Sequence, residues 1–286
     1  MRAVRLANPK SITISDPRRV CGNLGADGCL DNVRNLSNAS IYLNRGECQT
    51  YVGGAEANTV AMYGQMTRRP DDQILYFDSC NPDSSVPFAN DTTAMCLHHV
   101  LPKLTKRPLL PPAASGQFNN TLQFGQWRYA DDPNVGFEET AFAYIPRRCA
   151  DLTAEPCSMA VSFHGCGGMG GPPDPADSCE SPQLLVLLTL RVLPLSTLCG
   201  PVADVRYAES NGIVLLYPRI KKGNNASRTY PNSHEIERGC WDGYGQLSAH
   251  YALQSAPHMR AVWAMVKQVT GWNHSARKDC STECGN

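Results

Sequence analysis

Two nearly continuous apolar runs constrain the fold of this chain more than any other feature of its sequence. They are CSMAVSFHG at residues 157–165 and NGIVLLYP at residues 211–218. A short apolar run that lacks polar alternation is typical of a strand whose two faces are both covered. The sequence therefore predicts a buried sheet with helices on both of its faces.

Further strands and helices are predicted to alternate along the chain. The remaining predicted strands are residues 11–15, 39–46, 72–78 and 137–146, and the predicted helices are 56–66 and 256–271. The second helix places apolar residues on one side at helical spacing, and Gly271 is its expected C-cap. Because strands alternate with helices, we expect an α/β fold with a mostly parallel sheet.

The first apolar run ends abruptly in a His-Gly-Cys-Gly-Gly loop at residues 164–168. Glycine lacks the Cβ atom that would keep another group away, so backbone N–H groups can come close to a ligand there. Such loops often hold anions. The alternative interpretation is a tight turn after a core strand, and the local sequence leaves both open.

The cysteine content indicates an oxidising compartment. Thirteen cysteines are more than a cytosolic chain normally carries, because thiols stay reduced there. Six Asn-x-Ser/Thr sequons support secretion and glycosylation, at Asn35, Asn38, Asn90, Asn119, Asn225 and Asn273. The first fifteen residues contain no apolar signal-peptide core, so we expect that segment to have been removed or to lie upstream.

Charge and spacing exclude several other classes. The formal net charge is zero and the basic residues are scattered, which argues against nucleic-acid binding. The longest apolar run, residues 184–198, is shorter than the roughly 20 residues needed to span a bilayer and is interrupted by Arg191 and Pro194. The close pairs Cys149/Cys157 and Cys280/Cys284 have no second pair at zinc-finger spacing. We therefore expect disulfides, and neither a metal nor a cofactor.

Five segments carry a resemblance to a known family. They are FAYIPRRC, PCSMAVSFHGCGG, YAESNGIVLLYP, GCWDGYG and MRAVWAMVKQVTG, and in order and spacing they resemble the extracellular polyhydroxyalkanoate (PHB) depolymerases. These are secreted serine esterases of the α/β-hydrolase fold. The resemblance is specific over residues 137–272 and weaker over 31–96. Before residue 31 only ANPKSITIS fits, at the strand that leads into the family's nucleophile elbow.

The order of the segments resembles the circularly permuted members of the family. The segment similar to the acid loop, ASIYLNRGECQTYVGG, precedes VSFHGCGG, whereas ordinary α/β-hydrolases have the reverse order. We expect one α/β-hydrolase-like domain over residues 1–286, with 1–30 weakly assigned. Residues 179–206 form an atypical leucine-rich insertion in a family loop, and a translated intron is one explanation for it.

The resemblance assigns roles to the loop and to its partner segment. It implies that the Cys166 N–H is an oxyanion-hole donor, which would stabilise charge developing on an ester carbonyl oxygen. It also implies a Cys166–Cys240 disulfide. Trp241 would then lie beside the cleft and hold a polyester or hydroxyalkanoate oligomer on its flat apolar face. Plain core packing of Trp241 is the alternative.

The catalytic triad that the family uses is incomplete in this sequence. The elbow pattern G-x-S-x-G occurs nowhere, and SITIS continues into DPRRVCG instead of a Gly/Ser-rich turn. The family's acid falls on Gln49, which cannot offset the charge of an imidazolium, and Glu47 is two residues out of place. No histidine occurs in SCNPDSSVPFAND, where the family's base belongs. We expect the chain to be inactive as an esterase.

Two explanations fit these losses, a pseudoenzyme that kept the cleft and a misread gene product. The functional alternatives are an active secreted esterase, a non-catalytic secreted ligand-binding glycoprotein and a purely structural extracellular glycoprotein.

For the cysteines we predict the bonds Cys166–Cys240 and Cys149–Cys157, with Cys80–Cys96 and Cys280–Cys284 as weaker predictions. Because the count is odd, one cysteine remains, and Cys48 is the candidate.

Overall fold

The computed structural model describes most of the chain in eight segments, which are residues 33–45, 55–78, 92–113, 121–151, 155–167, 184–189, 205–243 and 245–271. The strands are β1 Ile41–Arg45, β2 Ile74–Asp78, β3 Thr121–Gly125, β4 Thr140–Tyr144, β5 Ser158–Phe163, β6 Leu184–Thr189 and β7 Ile213–Tyr217. The longer helices are α1 Ala55–Met66, α2 Thr92–Thr105, α3 Val205–Asn211 and α4 Pro257–Thr270, with single turns at Pro70–Gln73 and His234–Glu237.

Most of the elements predicted from the sequence are confirmed. Strands β1, β2, β4, β5 and β7 and helix α4 fall within the predicted ranges, and helix α1 begins one residue before its predicted range. Gly271 closes α4 in the left-handed conformation with φ 64°, as its position predicted. The predicted strand at 11–15 lies outside the described residues. Strands β3 and β6 and helices α2 and α3 were not predicted.

The strands form a mixed arrangement, so the expectation of a mostly parallel sheet was wrong for the described residues. Strands β1 and β2 form a parallel pair, and five strands form a second sheet in the order β3-β4-β7-β5-β6. In that sheet only β5 and β7 run parallel. In each parallel pair, a helix lies between the two strands along the chain, as a parallel crossover requires. The antiparallel strands β3 and β4 are joined without one of the longer helices.

Helices cover both faces of the five-stranded sheet, as the apolar runs predicted. Alternate residues of β5 separate onto two faces, with Met159 and Val161 packed against α4 in one core cluster. Ala160 belongs to a different cluster, which it shares with residues of α2 and α3. The second cluster also contains Ile41 and Phe77 of the two-stranded sheet, so the two sheets share one core.

The leucine-rich segment, predicted as part of an insertion at 179–206, contributes a strand. β6 pairs antiparallel with β5 over all six residues, from Ser158 opposite Thr189 to Phe163 opposite Leu184. The rest of that segment up to residue 204 lies outside the described residues. Among the described helices, none has the length and apolar character that a bilayer crossing requires.

Candidate functional site

The carboxyl ends of the parallel strands β5 and β7 meet around a buried histidine. His164 directly follows β5 and is only 4% exposed. Its Nε2 accepts a hydrogen bond of 2.9 Å from the Ile220 N–H, so its Nδ1 carries the proton and donates to the Gly165 carbonyl at 2.6 Å. Burial lowers the pKa of His164, which favours the neutral imidazole, and the two hydrogen bonds select its tautomer.

A second buried histidine comes from the first turn of α4. The His258 Nδ1 accepts a hydrogen bond of 3.1 Å from the Asp242 N–H, and its Nε2 donates to the Val135 carbonyl at 2.7 Å. Burial lowers the pKa of His258 as well. Both nitrogens of each histidine are thus engaged with the backbone, which leaves neither ring free to take a proton from a nucleophile.

Trp241 lies between these two histidines. Its ring centroid is 5.4 Å from the rings of both His164 and His258. Phe163 and Phe137 contact the same indole edge-on, at centroid distances of 4.9 and 6.0 Å. Trp241 is half-buried, and its buried Nε1 has no hydrogen-bond partner among the described residues. The indole therefore both packs in an aromatic cluster and presents part of its surface to solvent.

The predicted disulfide between the glycine-rich loop and the tryptophan segment is present. Cys166 and Cys240 are bonded, with their Cα atoms 4.1 Å apart, well inside the limit of about 7 Å. The loop is also held by the Gly167 N–H, which donates to the Arg238 carbonyl at 2.9 Å. Gly167 has φ 119°, a conformation that favours glycine. The disulfide Cys149–Cys157 is confirmed too, with a Cα separation of 5.8 Å.

The position after Trp241 is fixed by its own side chain. The Asp242 Oδ1 accepts hydrogen bonds from the N–H groups of Gly245 and Gln246, and Oδ2 accepts one from Leu247. This carboxylate therefore closes a turn and makes no hydrogen bond to either imidazole.

Within the described segments, the Cys166 N–H makes no backbone hydrogen bond, which leaves this predicted oxyanion-hole donor available.

Several predicted positions lie outside the described residues. They are the acid slot Gln49, Glu47, Cys48, Cys80, Cys280, Cys284 and the segment 79–91 where the family's base belongs. Cys96 is disulfide-bonded, and its partner also lies outside the described residues. Of the sequons, Asn38 and Asn225 are exposed and Asn35 is half-buried, while Asn90, Asn119 and Asn273 are not described. Glycosylation stays a prediction.

One serine, one carboxylate and one histidine do lie together, in a cluster that the sequence did not indicate. Ser227 Oγ donates a short hydrogen bond to Glu237, and the other carboxylate oxygen is 4.0 Å from His234 Nδ1. The serine proton is thus directed at the carboxylate and not at the imidazole. The order is that of a structural cluster, because a triad needs the histidine between the serine and the acid.

The described residues do not favour a metal centre. The sulfur atoms of Cys166 and Cys240 lie within 4.8 Å of a Glu235 carboxylate oxygen, and this is the cluster with metal-ligand spacing among the described residues. Both sulfurs are joined in the disulfide, and a disulfide offers no thiolate to bind a cation.

Comparisons with known proteins confirm the resemblance inferred from the sequence. No family model matches the chain. It is 25% identical over 283 residues to a poly(3-hydroxybutyrate) depolymerase from Delftia acidovorans. The match covers 93% of this chain and 49% of the relative, so the chain spans about half of that relative's length.

Two solved structures have a similar fold. They are the crystal structure of a PHB depolymerase from Penicillium funiculosum and a serine-to-alanine variant of a PHB depolymerase complexed with an R3HB trimer. Each matches with a TM-score of 0.60 and 18% identity, covering 91% of this chain and 80% of the other. The chain therefore has the fold of the PHB depolymerases, with mixed sheets and helices of the α/β-hydrolase type.

Proposed function

We propose that this chain is a secreted PHB depolymerase-like protein that binds hydroxyalkanoate oligomers beside Trp241 and does not hydrolyse them. The observation that carries the proposal is the aromatic surface of Trp241, held next to the glycine-rich loop by the Cys166–Cys240 disulfide. The site lies at the carboxyl ends of parallel strands, where ligands of open α/β sheets bind.

The chemistry of the surface suits an aliphatic polyester. Hydroxybutyrate units carry methyl groups and uncharged esters, which can lie against the face of an indole without leaving a charge unpaired. A donor for an ester carbonyl is present nearby in the Cys166 N–H. The solved structure of a related fold with an R3HB trimer supports the choice of an oligomer as ligand.

The absence of turnover is proposed from the sequence. The chain has no G-x-S-x-G elbow, Gln49 occupies the acid slot, and no histidine follows β2 before α2. The two histidines nearest the loop, His164 and His258, are each engaged on both nitrogens. An oxyanion donor without a triad still accelerates ester hydrolysis slightly, so weak turnover is compatible with this proposal.

Circular permutation and extracellular location are part of the same proposal. In chain order β1 and β2 precede β5 and β7, which is the arrangement that the resemblance to permuted depolymerases predicts. Disulfides at Cys149–Cys157 and Cys166–Cys240 support an oxidising compartment.

Calorimetric titration with an (R)-3-hydroxybutyrate trimer tests the binding function. We expect saturable binding to the wild-type chain and a loss of at least about tenfold in affinity in Trp241→Ala, since burying an aromatic face contributes on that scale. Trp127→Ala is the matched control, because Trp127 is 61% exposed and makes no ring contact with Trp241 or with the described aromatic rings around it. If Trp241→Ala does not fold, Trp241→Phe takes its place in the titration, because it keeps an aromatic ring in the packed cluster.

Fluorophosphonate labelling of the same preparation tests catalysis separately. Stoichiometric labelling of a single serine, located by mass spectrometry, would show that the chain is an active esterase and would contradict the absence of a triad. A folded wild-type chain that binds no trimer and takes no label would favour the structural glycoprotein instead.

A further inference from the structure

A second cleft opens at the opposite edge of the sheets from Trp241. It has a volume of about 1040 Å³, and its lining includes the residues at the amino ends of four strands, Ser40, Gln73, Ser158 and Asn211. These residues precede or begin β1, β2, β5 and β7, whereas His164 follows the carboxyl end of β5. A strand of six residues is about 20 Å long, so this cleft is separate from the site described above.

The lining of this cleft is strongly cationic although the chain as a whole is neutral. It contains five cations and two anions, so positive charge exceeds negative charge by three; the cations are Arg69, Lys103, Lys106, Arg107 and Arg148, and the anions are Asp72 and Glu155. Charges of one sign that line a concave surface raise the local concentration of ions of the other sign. The cleft therefore favours an anion.

Part of this positive charge is unused within the described residues. Arg69 pairs with Asp72 at 3.4 Å and Arg107 pairs with Glu155 at 2.7 Å. The side chains of Lys106 and Arg148 form neither a hydrogen bond nor an ion pair with any residue that the structure describes. Two free cations from different segments of the chain thus border the same space.

The segment that bears Arg148 is held in place from two sides. Cys149, its neighbour, is bonded to Cys157, which also lines the cleft. Gly212 has φ 63°, and a Cβ atom added there would lie 2.1 Å from the Arg148 Nε. The guanidinium therefore lies directly against the turn between α3 and β7, in a space that only glycine leaves open.

The segment that bears Lys106 is held by an amide side chain. Asn211 accepts a hydrogen bond from the Leu110 N–H at 2.8 Å and donates to the Leu110 carbonyl at 3.1 Å. These two hydrogen bonds fix the segment that follows α2 to the end of α3. The backbone segments that carry the two free cations are thus held in place, which reduces the entropy lost on binding a ligand.

We propose that this cleft binds a small oligoanion, a molecule that carries two or more phosphate or carboxylate groups. A single anionic group would meet one free cation, whereas an oligoanion can contact Lys106 and Arg148 together. Binding at this cleft is independent of the proposed binding of hydroxyalkanoates at Trp241.

Calorimetric titration at low ionic strength tests this proposal, with pyrophosphate and citrate as probes and acetate as the monovalent comparison. We expect at least one probe to bind about tenfold or more tightly than acetate, and to weaken as salt is added. Arg148→Ala and Lys106→Ala should each weaken binding roughly tenfold, the effect of losing one charge-assisted hydrogen bond. Tight binding of only one probe would identify the ligand group as phosphate or carboxylate.

Three further variants make the result specific. Lys222→Ala removes an exposed cation outside the cleft and should leave the affinity unchanged. Gly212→Ala keeps every charge and displaces Arg148, so it should weaken binding if position matters. Trp241→Ala should have no effect. Oligoanions that bind no more tightly than acetate, or a loss in Lys222→Ala equal to that in Arg148→Ala, would overturn the proposal.

Discussion

Removing the two confirmed disulfides one at a time should have unequal effects on stability. Cys166 and Cys240 are 74 residues apart, whereas Cys149 and Cys157 are 8 apart. In the chain-entropy model a disulfide stabilises by restricting the unfolded chain, and the restriction grows with the logarithm of loop length. For these separations the model gives about 4.5 kcal/mol for the long loop and about 2.6 kcal/mol for the short loop.

The test compares Cys166→Ala/Cys240→Ala with Cys149→Ala/Cys157→Ala. Urea unfolding followed by circular dichroism gives the free energy of unfolding of each double variant and of the wild type. We expect the first variant to be less stable than the second by about 2 kcal/mol. The reasoning fails if the short-loop variant loses as much stability as the long-loop variant, because native contacts would then outweigh the entropy of the unfolded chain.

Three further perturbations follow from buried groups. Burial lowers the pKa of His164 and His258, so as the pH falls below about 6.5 these histidines bind protons in the unfolded chain before they do so in the folded chain. The free energy of unfolding, measured by urea titration, should therefore decrease below that pH by at most about 1.4 kcal/mol per pH unit for each histidine. A profile that does not change with pH would contradict this. Gly136→Ala should lower the free energy of unfolding, measured by thermal unfolding, by about 1–3 kcal/mol, because the residue has φ 88° and an added Cβ atom would lie 2.7 Å from a neighbouring side chain. Gly223→Ala should lower it by less, because Gly223 has φ 73° but open space around it. Gln126→Leu should lower the free energy of unfolding by about 3 kcal/mol or more, because this buried amide donates hydrogen bonds to two backbone carbonyls and accepts one from a backbone N–H. A decrease of less than about 1 kcal/mol would refute that reasoning.

The sequence predicted the elements whose pattern is local. Strands β5 and β7 were recognisable because both of their faces are covered, and α4 because its apolar residues recur at helical spacing. Helix α2 was missed since it contains Pro102, a residue that normally ends a helix. The parallel character of the sheet was overestimated because alternation along the chain does not fix which strands become neighbours.

The candidate site was predictable only in part. The Cys166–Cys240 disulfide came from the resemblance to a family, since spacing alone cannot decide which cysteines meet. The place of His258 beside Trp241 had no local signal, because it depends on how α4 packs against the sheet. The free cations of the second cleft lie on segments more than 40 residues apart and converge only in the folded chain.

Strand β6 also bears on self-association. It pairs with β5 along all six residues, so the N–H and C=O groups on that side of β5 are not open to another chain. β5 is buried along nearly its whole length, and such a strand at a bare edge is a template for addition of a second molecule. A form of the chain without residues 184–189 would leave this edge of β5 unpaired, and we expect that form to oligomerise edge to edge.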